Sequence, residues 1–233
     1  MRQVVLDTET TGLELLEGHK IIEIGCVEMV NRRLTGNNYH QYINPDREID
    51  AGAIEVHGIT TEQLKDKPRF ADIAQGFLDF VNGAELIIHN APFDVGFLNH
   101  EFGVAHGNGV KFCIDDHCTI VDTLKLARTM HPGQKNDLDS LCRRYSVDNS
   151  NRVLHGALLD AEILADVYLA MTRSQAGFFE DTSTPARTAT AAVATQVRRL
   201  SLERPPLVVL GPTPEELALH AAWLQELEKK SGG

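Results

Sequence analysis

The chain has 233 residues, 42% of them hydrophobic and 24% charged, enough apolar chain to bury a core unaided and too much for a disordered protein. No run approaches the ~18 apolar residues that span a bilayer, and the start, Met1-Arg2-Gln3-Val4-Val5-Leu6, lacks the basic-then-apolar order of a signal peptide. Acids outnumber bases 33 to 22, a formal net charge of −11, which excludes coating nucleic acid by charge alone but not meeting phosphates through metal cations or a partner.

In chain order, Val4-Val5-Leu6 predicts a short strand ending at Asp7, Ile21 to Val30 a strand with one buried face, and Tyr39 to Ile43 a third strand stopped by Asn44-Pro45-Asp46. Polar turns containing Gly12, Gly18 and Gly36-Asn37-Asn38 would join them into an antiparallel meander. Thr60 or Thr61 is a candidate helix cap, and Phe70 to Val81 has helical spacing up to Asn82-Gly83. Leu86-Ile87-Ile88 predicts a buried strand, Pro92 to Phe102 a helix opened by proline, and Thr119-Ile120-Val121 a strand leading into the helical run Leu124 to Met130. Helices are expected at Leu138 to Tyr145 and Ala157 to Met171. A meander followed by alternating strand and helix is an α/β pattern, a mixed sheet flanked by helices.

Beyond Met171 the composition shifts, and residues 173–205, rich in Ala, Thr, Ser, Pro and Arg, read as a flexible linker. Thr213 then caps a predicted helix with Pro214 at its first position, carrying Leu217, Leu219, Trp223, Leu224 and Leu227. Alone in water so short a helix is marginal, which points to a docking element. The cysteines Cys26, Cys113, Cys118 and Cys142 are scattered, as suits a reducing cytoplasm.

The strongest chemical signal is Asp7-Thr8-Glu9. Residues two apart on a strand share a face, so the two carboxylates would repel unless a cation lies between them, and hard ions such as Mg²⁺ or Mn²⁺ prefer such oxygen ligands. The alternative is an Asp7 that merely caps the turn through Thr8 to Gly12. Asp94 lies near the start of one predicted helix, where an acid alone is more often macrodipole chemistry than a ligand, and Asp160 lies in the first turn of another. His155 lies five residues before Asp160, and Gly156 offers a break that lets it sit in the preceding loop; a surface histidine is the plainer reading. Cys113 and Cys118 bracket His117, but a zinc site would want a second pair at ligand spacing. Phosphate-binding loops, dinucleotide fingerprints and nucleophile elbows are missing from the sequence.

Taken together, Asp7-Thr8-Glu9-Thr10-Thr11-Gly12, His89-Asn90-Ala91-Pro92-Phe93-Asp94 and His155-Gly156-Ala157-Leu158-Leu159-Asp160 resemble the three motifs of the DEDDh 3′→5′ exonucleases, in the family's order. The flanks Glu17 to Gly25, Asn31 to Asn38 and Val56-His57-Gly58-Ile59 are similar to the proofreading subunits of bacterial DNA polymerase III. The resemblance implies a ribonuclease H-like fold over residues 1–172, with Asp7, Glu9, Asp94 and Asp160 holding two divalent ions, Mg²⁺ or Mn²⁺, and His155 as general base. It also implies that Asp7, Glu9, Thr10, Thr11, His57 and Asp160 meet the 3′-terminal nucleotide, released as a 5′-mononucleotide. Gly52 stands where relatives carry a glutamate, leaving that contact missing or supplied by Glu55. Asp122 matches another recurrent acid of the family and reads as structural.

Within the linker, Gln175-Ala176-Gly177-Phe178-Phe179 looks like a sliding-clamp-binding peptide, with Gln175, Phe178 and Phe179 as anchors; the alternative is that the phenylalanines fold back on the nuclease. By the same resemblance residues 206–233 would dock on the polymerase (alpha) subunit, and a small third subunit is expected on the nuclease domain. The expected function is a proofreading 3′→5′ exodeoxyribonuclease, cytoplasmic and replisome-associated, acting on a single-stranded 3′ end of DNA. The alternatives are an RNA-trimming enzyme of the ribonuclease T kind and a non-catalytic adaptor between clamp and polymerase.

Overall fold

The computed structural model describes residues 1–107, 111–152 and 154–173, with 213–216, 220, 221, 223 and 224 near the C-terminus. The chain divides into two units, Met1–Glu180 and Asp181–Gly233. In the first, strands β1 (Arg2–Thr10), β2 (Ile21–Val30), β3 (Arg33–Tyr42), β4 (Glu85–Ile88) and β5 (Thr119–Asp122) form one sheet in the order β3-β2-β1-β4-β5. The expected meander is present as antiparallel β1–β2 and β2–β3 pairs, while β4 and β5 run parallel to β1.

Two strand boundaries correct the sequence reading. β1 does not stop at Asp7 but runs to Thr10, with Asp7 opposite Gly25 and Glu9 opposite Glu23. The turn between β2 and β3 is not Gly36-Asn37-Asn38 but Asn31-Arg32, at φ 50 and 62, the left-handed pair that a two-residue hairpin needs. Asn38 lies within β3, opposite Val27. β3 is an edge strand with its first six residues exposed, so polar side chains cost it nothing, and composition alone there mimics a turn.

Among the described residues, seven helices flank the sheet: α1 (Ala51–His57), α2 (Thr61–Leu64), α3 (Phe70–Val81), α4 (Ala91–Ala105), α5 (Thr123–Met130), α6 (Leu138–Tyr145) and α7 (Ala157–Met171). α3, α6 and α7 have the predicted limits, and Thr60 caps α2 in a reciprocal box with Gln63. Asp122 caps α5, accepting the N–H groups of Leu124 and Lys125, the structural role expected of it. α1 has no counterpart in the sequence reading: it is two turns long, with no sustained apolar period, and ends at Gly58 in the left-handed conformation, φ 73.

Strand alternation sorts β1 between two cores. Val4 and Leu6 pack with Phe77 of α3 and with Phe97 and Phe102 of α4, while Val5 packs with Ala161, Leu164 and Ala165 of α7. Leu141 of α6 packs with Val167 and Met171 of α7. Where the apolar run ends, the same alternation sends Asp7 and Glu9 to the α7 side and Thr8 to the α4 side.

In the second unit the predicted cap is present: the Thr213 N–H donates to Glu216 and the Glu216 N–H donates to the Thr213 hydroxyl. Leu217, Leu219 and Leu227 of the predicted docking helix, the clamp-peptide residues Gln175, Phe178 and Phe179, and the linker beyond Arg173 lie outside the described residues. Among the described residues no helix is long and apolar enough to cross a membrane.

Candidate active site

Asp7, Glu9, Asp94, His155 and Asp160 line one cleft of about 790 Å³ at the carboxyl ends of β1 and β4. Three separate devices bring them together. Thr8 reaches to the α4 side, where its hydroxyl donates to Asp94 Oδ1 at 2.7 Å. Asn90, at φ 67, turns the chain from β4 into α4, so that Asp94 falls in the first helical turn. α7 is held against the sheet by β2: a Cβ at Gly25 would lie 2.2 Å from the Ala157 carbonyl carbon, so only glycine permits the approach. Gly156, the α7 cap, has no side chain to accept the first helical N–H groups. Glu23 Oε2 accepts the Ala157 N–H instead, at 3.2 Å, and its other oxygen is 2.7 Å from His40 Nε2.

Burial sets the electrostatics. The Asp7 carboxyl is pushed well above the usual carboxylate range by burial and then by the charges of Asp94, Glu9 and Asp160. Glu9 is pushed up to about 8 by burial, with Asp160 and Glu23 adding to it. Burial also raises Asp94, to about 7, against the hydrogen bond from Thr8. Like charges this close, taken out of water, must hold protons or share cations. Ligand atoms of Glu9, His155 and Asp160 lie within 4.8 Å of one another, and the neighbouring donors are carboxylate oxygens, so the residues present fit a hard divalent cation.

One cation at the centre belongs to the chain. Arg152 Nε and Nη2 donate to the two oxygens of Asp160 at 2.5 and 2.7 Å, Nη1 donates to Asp139 at 2.8 Å, and Nη2 lies 3.1 Å from His155 Nδ1. Burial opposes the guanidinium charge, and the bonds to Asp160 and Asp139 more than offset it, so its pKa is raised. His155, in the loop before α7, has its pKa lowered by burial and then by Arg152. A neutral imidazole, able to accept a proton, is thereby favoured.

A second cleft of about 510 Å³ meets the first at Thr8, Glu9 and Phe93, and Thr10, Gly52 and His57 line it. His57 is buried; its Nδ1 accepts the Ile59 N–H at 3.0 Å and its Nε2 has no partner, a polar atom suited to a ligand group. The hydroxyls of Thr10 and Thr11 are used within the turn, the one donating to the Gly12 carbonyl and the other bonded to His19 and to the Lys20 N–H. Gly52 has open space where a side chain would project, and Glu55 is exposed and is not among the residues lining this cleft.

Arg152, Glu23 and Gly25 were not singled out by sequence reasoning. A glycine inside an apolar strand was the available signal for Gly25. For Arg152 only a charge argument could have served, since acids clustered away from water need a counter-charge. Cys113 Sγ turns to Asp115 and the Cys118 thiol to the Ile114 carbonyl.

Residues 4–168 match the family profile described as Exonuclease. The chain is similar to DNA polymerase III subunit epsilon of Haemophilus influenzae, 54% identical over 99% of this chain and 92% of the relative. It is also similar to the subunit of that name from Escherichia coli, 51% identical over 99% and 95%. Among solved structures it is similar to exonuclease X in complex with 5′ overhanging duplex DNA, with a TM-score of 0.57 and 26% identity over 72% of this chain and 90% of the other.

Proposed function

We infer the function from the family to which the chain belongs: it is an exonuclease-family protein of the DNA polymerase III epsilon group. It is a 3′→5′ exonuclease that serves proofreading. The observation that carries this reading beyond the family is the convergence of Asp7, Glu9, Asp94, Asp160 and His155 on one cleft, beside a second cleft lined by Thr10 and His57.

In the mechanism we favour, Asp7, Glu9, Asp94 and Asp160 would hold two divalent ions, Mg²⁺ or Mn²⁺. When bound, such ions supply charge stabilisation at attacking and leaving oxygens and lower the pKa of water. His155 takes the proton of the attacking water; with its pKa lowered it is free to accept at neutral pH. Arg152 is anchored on Asp139 as well as on Asp160, so it would stay in place if an Asp160 oxygen turned to an ion. His57 offers its unpartnered Nε2 to the terminal nucleotide, and Thr10 and Thr11 hold the turn that walls that cleft. The open space at Gly52 leaves one side of the nucleotide without a side-chain contact.

Residues 1–172 form the nuclease, 173–205 the tether and 206–233 the segment that docks on the polymerase subunit. Gln175, Phe178 and Phe179 bind the sliding clamp, a small third subunit sits on the nuclease domain, and the assembly works in the cytoplasm at a single-stranded 3′ end. A tether raises the nuclease concentration near the primer end without fixing its orientation.

The test is digestion of a 5′-labelled primed DNA with a 3′-terminal mismatch, with Mg²⁺ or Mn²⁺ and then with chelator. Stepwise, metal-dependent shortening, faster on the mismatch than on a paired end, is expected. Folded, metal-supplied protein without activity would favour the adaptor reading, and preferential trimming of RNA the ribonuclease T-like one.

A further inference from the structure

Two cations in the first cleft have no role in the chemistry above. Beyond the carboxylates the cleft continues to a wall formed by α5 and the loop into α6, where Arg128 and Lys135 line it. Both are exposed, and among the described residues neither takes part in an ion pair. The acids of the same wall are already engaged. Asp137 caps α6, accepting the Ser140 N–H and hydroxyl, and Asp139 holds Arg152 and the Asn149 amide.

The loop that carries Lys135 is fastened from behind. Asn136 is buried; its Nδ2 donates to the carbonyls of His131 and Gln134, and its Oδ1 accepts from Arg144. Arg144 Nη2 also donates to the Lys135 carbonyl at 2.8 Å, and the Tyr145 hydroxyl meets His131 Nε2 at 2.7 Å. α6 thus fixes the backbone while the Lys135 side chain lines the cleft. A cation carried on a fixed backbone beside an acidic floor suits a polyanion that must pass the floor without being repelled by it.

We propose that Arg128 and Lys135 bind internucleotide phosphates of the strand on the 5′ side of the scissile bond. The inference rests on the nuclease reading, and it gives the strand a polarity. The terminal nucleotide occupies the cleft of His57, the scissile phosphate lies at the carboxylates, and the strand leaves past α5 and the α5–α6 loop. It also resolves how a chain of net charge −11 holds DNA beyond the reacting phosphate: with a short cationic wall rather than a basic surface.

The test compares two substrates in the full chain. A 5′-labelled oligodeoxynucleotide carries phosphates beyond the scissile one; the p-nitrophenyl ester of thymidine 5′-monophosphate carries none. Removing both charges with Arg128→Gln and Lys135→Gln is expected to raise KM several-fold more for the oligonucleotide than for the ester. The dependence of log kcat/KM on log salt should flatten by about 0.7 per residue removed. Arg128→Lys, which keeps the charge, should recover most of the loss. Equal effects on both substrates, or an unaltered salt slope, would overturn the proposal. Hydrolysis of neither substrate by the wild-type chain with metal would instead remove the nuclease reading, and this proposal with it.

Discussion

Asp94 and Asp160 occupy matching places and are balanced in opposite ways. Each sits in the first turn of a 15-residue helix at the carboxyl end of the sheet, and each is 3% exposed. Asp94 receives a hydroxyl from Thr8, its pKa is pushed up to about 7 by burial, and a proton is its natural counter-charge. Asp160 is gripped through both oxygens by Arg152. Buried carboxylates need a counter-charge, and here one side of the centre takes it from solution and the other from the chain. Both arrangements are compatible with replacement by a divalent ion, because neither commits every lone pair of the two acids.

The largest expected effect separates the acids from everything around them. Asp7→Ala or Asp160→Ala should lower hydrolysis by more than the ~100-fold that partners one step removed from a metal cost. Circular dichroism and pull-down of the polymerase subunit should register no change. Loss of polymerase binding in these variants would break the separation between site and tail.

Arg152→Ala comes next, and it acts on stability. Breaking a buried pair from one side costs about 3–5 kcal/mol, and here it leaves the Asp160 carboxylate, buried within the protein, without its guanidinium. The thermal midpoint of the metal-free variant should fall, and added Mn²⁺ should recover more of it than in the wild type. A variant whose midpoint ignores metal would show that Arg152 is not standing against the same charge.

The Asp94 side is probed by pH. Glu9 and Asp94 titrate at about 8 and about 7 in the metal-free fold, well above carboxylates of an unfolded chain. Between those ranges the folded state binds more protons than the unfolded, so stability falls as pH rises from about 4 toward 8 and levels off above that. Denaturant midpoints of chelated protein should therefore decline from pH 5 to 8, and metal should flatten the decline. Smallest of all, Thr8→Val removes one hydroxyl and keeps the shape. It should weaken metal binding or activity by about 10–100-fold, read by titration calorimetry and rate, with the Arg152–Asp160 pair untouched.

Much of the centre was legible because its acids stand at boundaries that local patterns mark. Asp7 and Glu9 follow an apolar run, Asp94 follows a proline-opened helix start, and Gly156 separates His155 from Asp160. The limits of α3, α6 and α7 were legible for the same reason: helical spacing with clear stops. What holds the parts together was not. Arg152 meets Asp160 across a loop with no period, Glu23 meets Ala157 across 134 positions, and Gly25 matters only because another backbone arrives there. The Asn31-Arg32 turn was hidden by an edge strand whose glycine and asparagines look like a turn until its neighbour is known.

The most direct test of the account is calorimetric titration of the metal-free chain with Mn²⁺ at pH 7, in two buffers of different protonation enthalpy. If buried carboxylates hold protons until a divalent ion replaces them, binding will release protons, and Asp94→Asn will bind more weakly and release fewer. Binding without proton release, or binding unaltered by Asp94→Asn, would contradict it.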